Sequence, residues 1–187
     1  MSLLSAENLG HRFDQGWLFR HVSFDLAAGD RLIVLGHNGS GKSTMLRGIS
    51  RHLTMREGVV RGSDRIGYAA LDLALYPQLT AREHLEYAGA LRGVPPRTEE
   101  LLELVGLGEA IEKRCGAMST GMRARMKLAL AIQHSPDVLV LDEPTAALDE
   151  QGRAVVDAVV QGFAGACLIA TNDPEYRRWA THELDLG

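Results

Sequence analysis

The chain has 187 residues, 45% hydrophobic and 24% charged, which suits one globular domain with a sizeable core and leaves little room for two. Twenty Lys plus Arg stand against 24 Asp plus Glu, a formal net charge of −4 without a basic block. A protein that grips a nucleic-acid backbone carries a basic stripe, so no nucleic-acid partner is expected.

Cys115 and Cys167 lie in unrelated contexts without metal-like spacing and fit a reducing, cytoplasmic setting. The opening MSLLSAENLGHRF lacks the charged start and apolar run of a signal peptide. The nearest approach to an apolar span, residues 155–170, is broken by Asp157 and Gln161 and falls short of the ~18 residues a membrane helix needs. Work at a membrane would require a spanning partner.

In chain order, Leu18 to Leu26 alternates apolar residues at Val22, Phe24 and Leu26 and reads as a strand, closed by a turn at Ala28-Gly29-Asp30. Arg31 to Leu35 (RLIVL) is a short continuous apolar run, the mark of a buried parallel strand. A glycine-rich loop follows, then a helix from about Gly41 to Arg51, and a strand from Ile66 to Leu71. Residues 80–113 read as mainly helical, interrupted at Pro95-Pro96. From Ser119 to about His134, Met122, Met126, Ala129 and Leu130 share one helix face. Asp137 to Leu141 is a second buried strand, and Glu150 to Phe163 a helix with Val155, Val156, Val159, Val160 and Phe163 inward. Cys167 to Ala170 forms a third strand, followed by a short helix from Pro174 and a last strand near His182 to Leu186. Strands alternating with helices predict a mostly parallel sheet covered on both faces.

Gly36-His37-Asn38-Gly39-Ser40-Gly41-Lys42-Ser43 matches G-x-x-x-x-G-K-[ST] between a predicted buried strand and a helix that opens with Ser43 and Thr44. Glycines let successive N–H groups turn inward around phosphate oxygens, and the helix start adds partial positive charge. Lys42 is placed to reach the β- and γ-phosphates and the Ser43 hydroxyl to hold Mg²⁺. Downstream, the strand 138–141 runs into Asp142-Glu143. Two neighbouring carboxylates at a phosphate site divide the work: Asp142 orders the Mg²⁺ shell and Glu143 polarises a water for in-line attack. Asp149 stands at the next helix start, where an N-cap is an equally good reading.

Between these motifs, Met118-Ser119-Thr120-Gly121-Met122-Arg123-Ala124-Arg125 opens a helix about twenty residues before Asp142. It resembles the signature loop of ABC-type ATPases, usually L-S-G-G-Q, and with LDEPTAALD behind it the order and spacing resemble an ABC cassette over the whole chain. The resemblance implies an α/β fold: a P-loop NTPase core with a mostly parallel sheet, a small antiparallel β part, and a helical subdomain at roughly 72–135 inserted in a single nucleotide-binding domain, 1–187. It implies a head-to-tail pair of cassettes, homo- or heterodimeric, with ATP and Mg²⁺ sandwiched between them. Ser119, Thr120, Gly121 and Met122 of one would cap the nucleotide on the glycine-rich loop of the other, and Asp149 would belong to the D-loop. Phe13, 23 residues before Gly36, stands where the family keeps an aromatic against adenine; Trp17 and Phe19 are rivals, and a core aromatic is the plain alternative.

Gly67-Tyr68 and LYPQLTARE (75–83) resemble the segment following the family's Q-loop, which faces the coupling helices of a transmembrane permease. Within the family the chain resembles the ATPase of the cytochrome c biogenesis haem exporter and of type-2 exporters. Its expected place is the inner face of the cell membrane, held there by that permease. Two positions depart from the pattern. Leu71 stands where the Q-loop glutamine belongs, beside Asp72, which is within possible reach of the metal. Asn172, in LIATNDPEYRR (168–178), stands where the family keeps a γ-phosphate-sensing histidine. An amide still donates an N–H but carries no charge near pH 7. Asn172 is either an altered site residue or, with Asp173, a cap for the helix at Pro174. The alternatives to an exporter ATPase are a weakened cassette serving a regulatory or structural role and a non-transport nucleotide switch.

Overall fold

The computed structural model describes residues 1–14 and 16–187. In chain order the elements are β1 (Ser2–Phe13), β2 (Gly16–Ala27), β3 (Arg31–Leu35), α1 (Lys42–Ile49), β4 (Glu57–Gly62), β5 (Ile66–Ala70), α2 (Ala81–Arg92), α3 (Thr98–Leu104), α4 (Thr120–Ile132), β6 (Val138–Asp142), α5 (Glu150–Gly162), β7 (Ala166–Ala170) and β8 (His182–Asp185). Turns of 3-10 helix stand at Gly108–Ala110, Cys115–Ala117 and Pro174–Trp179. The chain divides into two compact units, one of residues 1–66, 137–143 and 163–187, the other of residues 67–136 and 144–162.

In the first unit β6, β7, β3 and β8 lie side by side in that order, all parallel. Every residue of β6 and β7 is buried, as continuous apolar runs require when a sheet is covered on both faces. Ile33, Met45, Leu46, Ile49, Leu139 and Ile169 are fully buried in its core. Arg31, at the start of β3, is buried and donates to the carbonyls of Asp30, Phe163 and Gly165, so its charge fastens residues 163–165 to the start of β3. A separate antiparallel sheet has the order β2-β1-β4.

β1 and β4 are strands the alternation test does not find. β1 pairs with β2 through four register shifts, so its buried residues Leu4, Ala6, Leu9, Gly10 and His11 lose the period of two. β4 is a short edge strand without one fully buried residue, and it has no apolar face to read.

The second unit is helical. α2 opens with a capping box: Thr80 Oγ1 accepts the Glu83 N–H and Glu83 returns a bond to the Thr80 N–H. It ends at Gly93 in the left-handed conformation, two residues before the Pro95-Pro96 break. Leu85, Leu101, Leu102 and Met126 are fully buried, and the Gln133 amide donates to Leu85 O at 2.7 Å. The buried set on α4 is Met126, Leu128, Ala129, Ala131 and Ile132, while Met122 and Leu130 are only half-buried. The single-stripe reading of this helix is corrected because α4 packs against α2, α3 and α5 and is covered on several sides. On α5, Val156, Val159 and Val160 are buried, whereas the inward reading of Val155 and Phe163 is corrected: Val155 is half-exposed, and so is Phe163, which lies past the end of the helix. Both cysteines are free and buried, Cys115 in this unit and Cys167 on β7, where burial pushes the thiol pKa up to about 12. Among the described residues no helix is long and apolar enough to cross a membrane.

Candidate functional site

Three parallel strands, β6, β7 and β3, bring their carboxyl ends together in the first unit, the position where open α/β sheets bind ligands. Beyond β3 the chain enters the loop 36–41. Gly41 has φ of 101°, and a Cβ there would lie 2.7 Å from Leu18 Cγ and 2.9 Å from the Phe19 ring, so only glycine fits. β2 thus packs directly against the loop. α1 then starts on Gly41 with no side-chain cap and no acidic residue in its first turn, leaving its N-terminal amides for an outside acceptor. Ser40 Oγ is buried beside this loop, without a hydrogen-bond partner among the described residues.

Lys42 is 7% exposed, and its ammonium donates to Gly36 O at 2.6 Å, His37 O at 3.2 Å and Asn172 Oδ1 at 3.0 Å. All three acceptors are neutral. A buried cation so placed, beside uncapped amides, is an electrostatic site for a phosphate group. His37 and Asn38 form the outer wall: His37 N donates to Gly187 O at 3.2 Å, and its ring Nδ1 lies 2.9 Å from Asn38 O. Gly39 has open space on its side-chain side, and Ser43 and Thr44 are half-buried in the first turn of α1.

β6 ends at Asp142, 7% exposed, and hands over to Glu143 with φ of 47°, the left-handed region that L side chains rarely adopt. The Glu143 N–H donates to Ala170 O at 2.9 Å, which fastens this bend to β7. Burial raises the Glu143 pKa above the usual carboxylate value. The Asn172 backbone N–H and the Lys42 charge act in the opposite direction, and Asp142 and Asp173 add to the rise. The Glu143 carboxyl thus lies within electrostatic reach of the Lys42 ammonium. The hard oxygens of Ser43 and Asp142 are the donor set Mg²⁺ prefers, and a shell completed by phosphate oxygens and water fits a site with so few protein ligands.

Asp173, not Asn172, caps the 3-10 turn at Pro174–Trp179, its Oδ1 accepting the Glu175 N–H at 3.0 Å. Asn172 turns to the loop: its Oδ1 accepts from Lys42 and its Nδ2 donates to Asn38 Oδ1 at 2.7 Å. The capping alternative for Asn172 is corrected, because Asp173 alone supplies the cap. Neither the Asn38 side-chain role nor the Asn172 backbone contact to Glu143 could be read from the motifs.

Phe13 is 57% exposed, edge-on to His11 with centroids 4.9 Å apart. It lines a cleft of about 740 Å³ walled, among the described residues, by 11–14 and 53–56 and not by the glycine-rich loop. A core role for Phe13 is excluded by that exposure. Of its rivals, Trp17 lies under the Arg20 guanidinium at 4.1 Å and near Arg12 at 5.6 Å, and Phe19 is buried.

In the second unit the signature residues form an ordinary helix start. Ser119 Oγ accepts the Met122 N–H at 3.1 Å as N-cap of α4, and Thr120 Oγ1 accepts from Arg123 at 3.3 Å. Gly121 faces Ala147 O, which a Cβ would approach to 3.5 Å. Asp149 Oδ1 accepts the Gly152 N–H at 2.8 Å and caps α5. Leu71 is 43% exposed, and its carbonyl accepts from Lys127 on α4; Asp72 acts on the same ammonium.

With this geometry in view, residues 19–146 match the family model described as ABC transporter. The chain belongs to the ABC transporter family. Over 190 residues it is 33% identical to the cytochrome c biogenesis ATP-binding export protein CcmA of Agrobacterium fabrum, covering 91% of this chain and 89% of that protein. It is 34% identical over 168 residues to the linearmycin resistance ATP-binding protein LnrL of Bacillus subtilis, covering 81% of this chain and 54% of LnrL. The ABC chain spans about half to two-thirds of the length of the first curated relatives it matches. Its fold is that of the ABC cassettes: an ATP-binding subunit of an ABC transporter superposes with a TM-score of 0.86 at 21% identity, over 98% of this chain and 85% of that one. The parallel sheet, small antiparallel sheet and helices expected from the resemblance are therefore all present.

Proposed function

We propose that this ABC cassette binds and hydrolyses ATP as the nucleotide-binding subunit of a membrane transporter. The observation that carries the reading is the buried Lys42 ammonium on three neutral oxygens, at the uncapped start of α1 and within electrostatic reach of Glu143. Lys42 and the loop amides, with His37, Asn38 and Ser40 shaping the walls, hold the triphosphate and stabilise charge on the leaving phosphates. Ser43 and Asp142 hold Mg²⁺, which supplies further charge neutralisation when bound. Glu143 takes the proton of the attacking water. Phe13, exposed beside its cleft, is the surface for the adenine ring.

The cassette comprises residues 1–187, with a helical part at roughly 72–135 inserted in the core. A second cassette, identical or not, closes on the nucleotide with its Ser119, Thr120, Gly121 and Met122, and with Asp149 at the dimer seam. A transmembrane permease holds the pair at the inner face of the membrane, and ATP-driven closure and hydrolysis reset it. Export, with haem among the candidate cargoes, is supported by the match to the cytochrome c biogenesis protein over most of both chains. The match to a linearmycin resistance protein supports export of another class of molecule equally well.

Asn172 favours a slower version of the same reaction. Its amide engages Lys42 and Asn38 where the family's histidine would supply an ionisable ring, so closure on ATP stays intact while turnover falls. The test is MgATP turnover by the protein co-purified with its membrane subunit from detergent-solubilised membranes. Loss of turnover in Glu143→Gln with nucleotide binding retained supports the reading. Unchanged turnover rejects Glu143 as base and leaves the weakened, structural cassette.

A further inference from the structure

In the second unit, a buried histidine ties down the exposed segment Tyr76–Leu79 from below. His84 is 4% exposed; its Nε2 accepts the Tyr76 backbone N–H at 2.9 Å, and its Nδ1 lies 3.2 Å from Thr80 O and 3.4 Å from Cys115 Sγ. The Tyr76 ring stacks on the His84 ring, with centroids 5.8 Å apart and 29° between planes, and meets Tyr87 edge-on at 6.1 Å. One protonation state satisfies these contacts. An acceptor at Nε2 needs a free lone pair, so the single proton resides on Nδ1, where Thr80 O takes it.

The same segment is joined to the turn before Ser119. Cys115 N donates to Leu79 O and Gly116 N to Pro77 O, each at 2.9 Å, and Met118 N donates back to Cys115 O at 3.2 Å. A Cβ on Gly116 would already crowd Pro77 O at 3.0 Å, so this junction is close-packed. The next residue, Ser119, caps α4. We infer that His84 is a positioning residue: as a neutral imidazole it fastens Tyr76–Leu79 to the Cys115–Ala117 turn and so sets the Ser119 end of α4.

The surroundings keep the ring neutral. Burial lowers the His84 pKa below 6.5, with Thr80 O and the Glu83 charge on α2 acting against it, and burial raises that of the facing Cys115 thiol, opposed by Arg123 on α4. The Tyr76 phenol from the segment and, beyond it, that of Tyr87 on α2 also face this side. With its folded pKa depressed, His84 lends stability that is full above the unfolded value of 6.5 and is lost as pH falls through the folded one. The consequence for ATP turnover rests on the proposed role of Ser119; the structural link does not.

Amide exchange on the nucleotide-free full chain tests it, read at the Tyr76 and Met122 N–H groups at about pH 7.5 and about pH 5.5 after correction for intrinsic rates. His84→Gln carries a non-titrating oxygen to the place of Nε2, whereas His84→Ala removes the acceptor. The expected result is that wild type loses about tenfold of protection at both amides at the lower pH, His84→Ala lacks it at both pH values, and His84→Gln keeps it at both. Binding of a fluorescent ATP analogue should stay within about twofold throughout, while Lys42→Ala abolishes it, so a failure of the nucleotide reading shows separately. The inference is overturned if wild-type protection does not depend on pH, if His84→Gln behaves like His84→Ala, or if Met122 is unaffected when Tyr76 is exposed. Should His84→Ala not fold, wild type against His84→Gln decides.

Discussion

At the carboxyl ends of β3, β6 and β7, Lys42, Glu143 and Asn172 interact with one another where α1 starts without a side-chain cap, whereas in the helical unit Ser119 and Asp149 commit their side chains to the first turns of α4 and α5. The first set has no adequate structural explanation: a buried ammonium on neutral carbonyls and a left-handed glutamate are costly unless a ligand uses them. The second set is fully explained by helix capping. The contrast teaches that a residue serving its own chain's site betrays itself by strain and burial, while residues like Ser119 and Asp149, proposed to act on a second cassette, pass for ordinary local structure.

The strongest way to break this contrast is Lys42→Ala. Removing the side-chain cation bonded to the loop carbonyls should abolish measurable ATP binding in a titration with a fluorescent analogue. Retained affinity would make the loop a structural turn. Next in size, Glu143→Gln should lower turnover by about 10²–10⁴-fold with binding intact. Its pH behaviour follows from the raised pKa. In wild type, turnover falls as pH drops through that raised value. Folded-state stability from this carboxyl instead declines as pH rises from its ordinary value of 4.5 through the raised one. The Gln variant should lose both trends, and its melting temperature at neutral pH should exceed that of wild type.

Asn172 sharpens the comparison at intermediate size. Asn172→His should raise turnover several-fold, well short of the general-base effect, and add a pH dependence near the histidine range of about 6.5. Asn172→Ala should lower turnover further by freeing the Lys42 and Asn38 contacts. Equal rates in all three would reduce Asn172 to a wall residue. The smallest effects belong to Ser119→Ala and Asp149→Ala. As caps alone each costs about 1 kcal/mol, or about 2–4 °C in melting temperature for a chain of this size. A loss of partner-dependent turnover well beyond that would support the proposed role of these residues toward a second cassette.

Much of this was legible from residue patterns. The loop from Gly36 to Ser43, the acids at Asp142 and Glu143, and the buried strands carry signals that local chemistry enforces. β1 escaped because bulges erase its period, and β4 because an edge strand buries too little to leave a pattern. The sequence could place Asn172 at the end of β7 but not choose between it and Asp173 as the cap. That choice depends on Lys42 and Asn38, more than a hundred residues away along the chain. His84 is harder still: a lone histidine inside a helix gives no hint that its partners are a backbone N–H eight residues back and a thiol.

The distribution of the two cysteines has a practical use. Each compact unit holds one free thiol, Cys115 in the helical unit and Cys167 in the sheet unit, and both are shielded from solvent. Neither reacts until its surroundings open, so the rates at which a thiol reagent modifies them form two independent clocks in the native chain. If the clocks run together, the units unfold as one. A faster Cys115 would report that the helical unit opens alone, without any label being engineered.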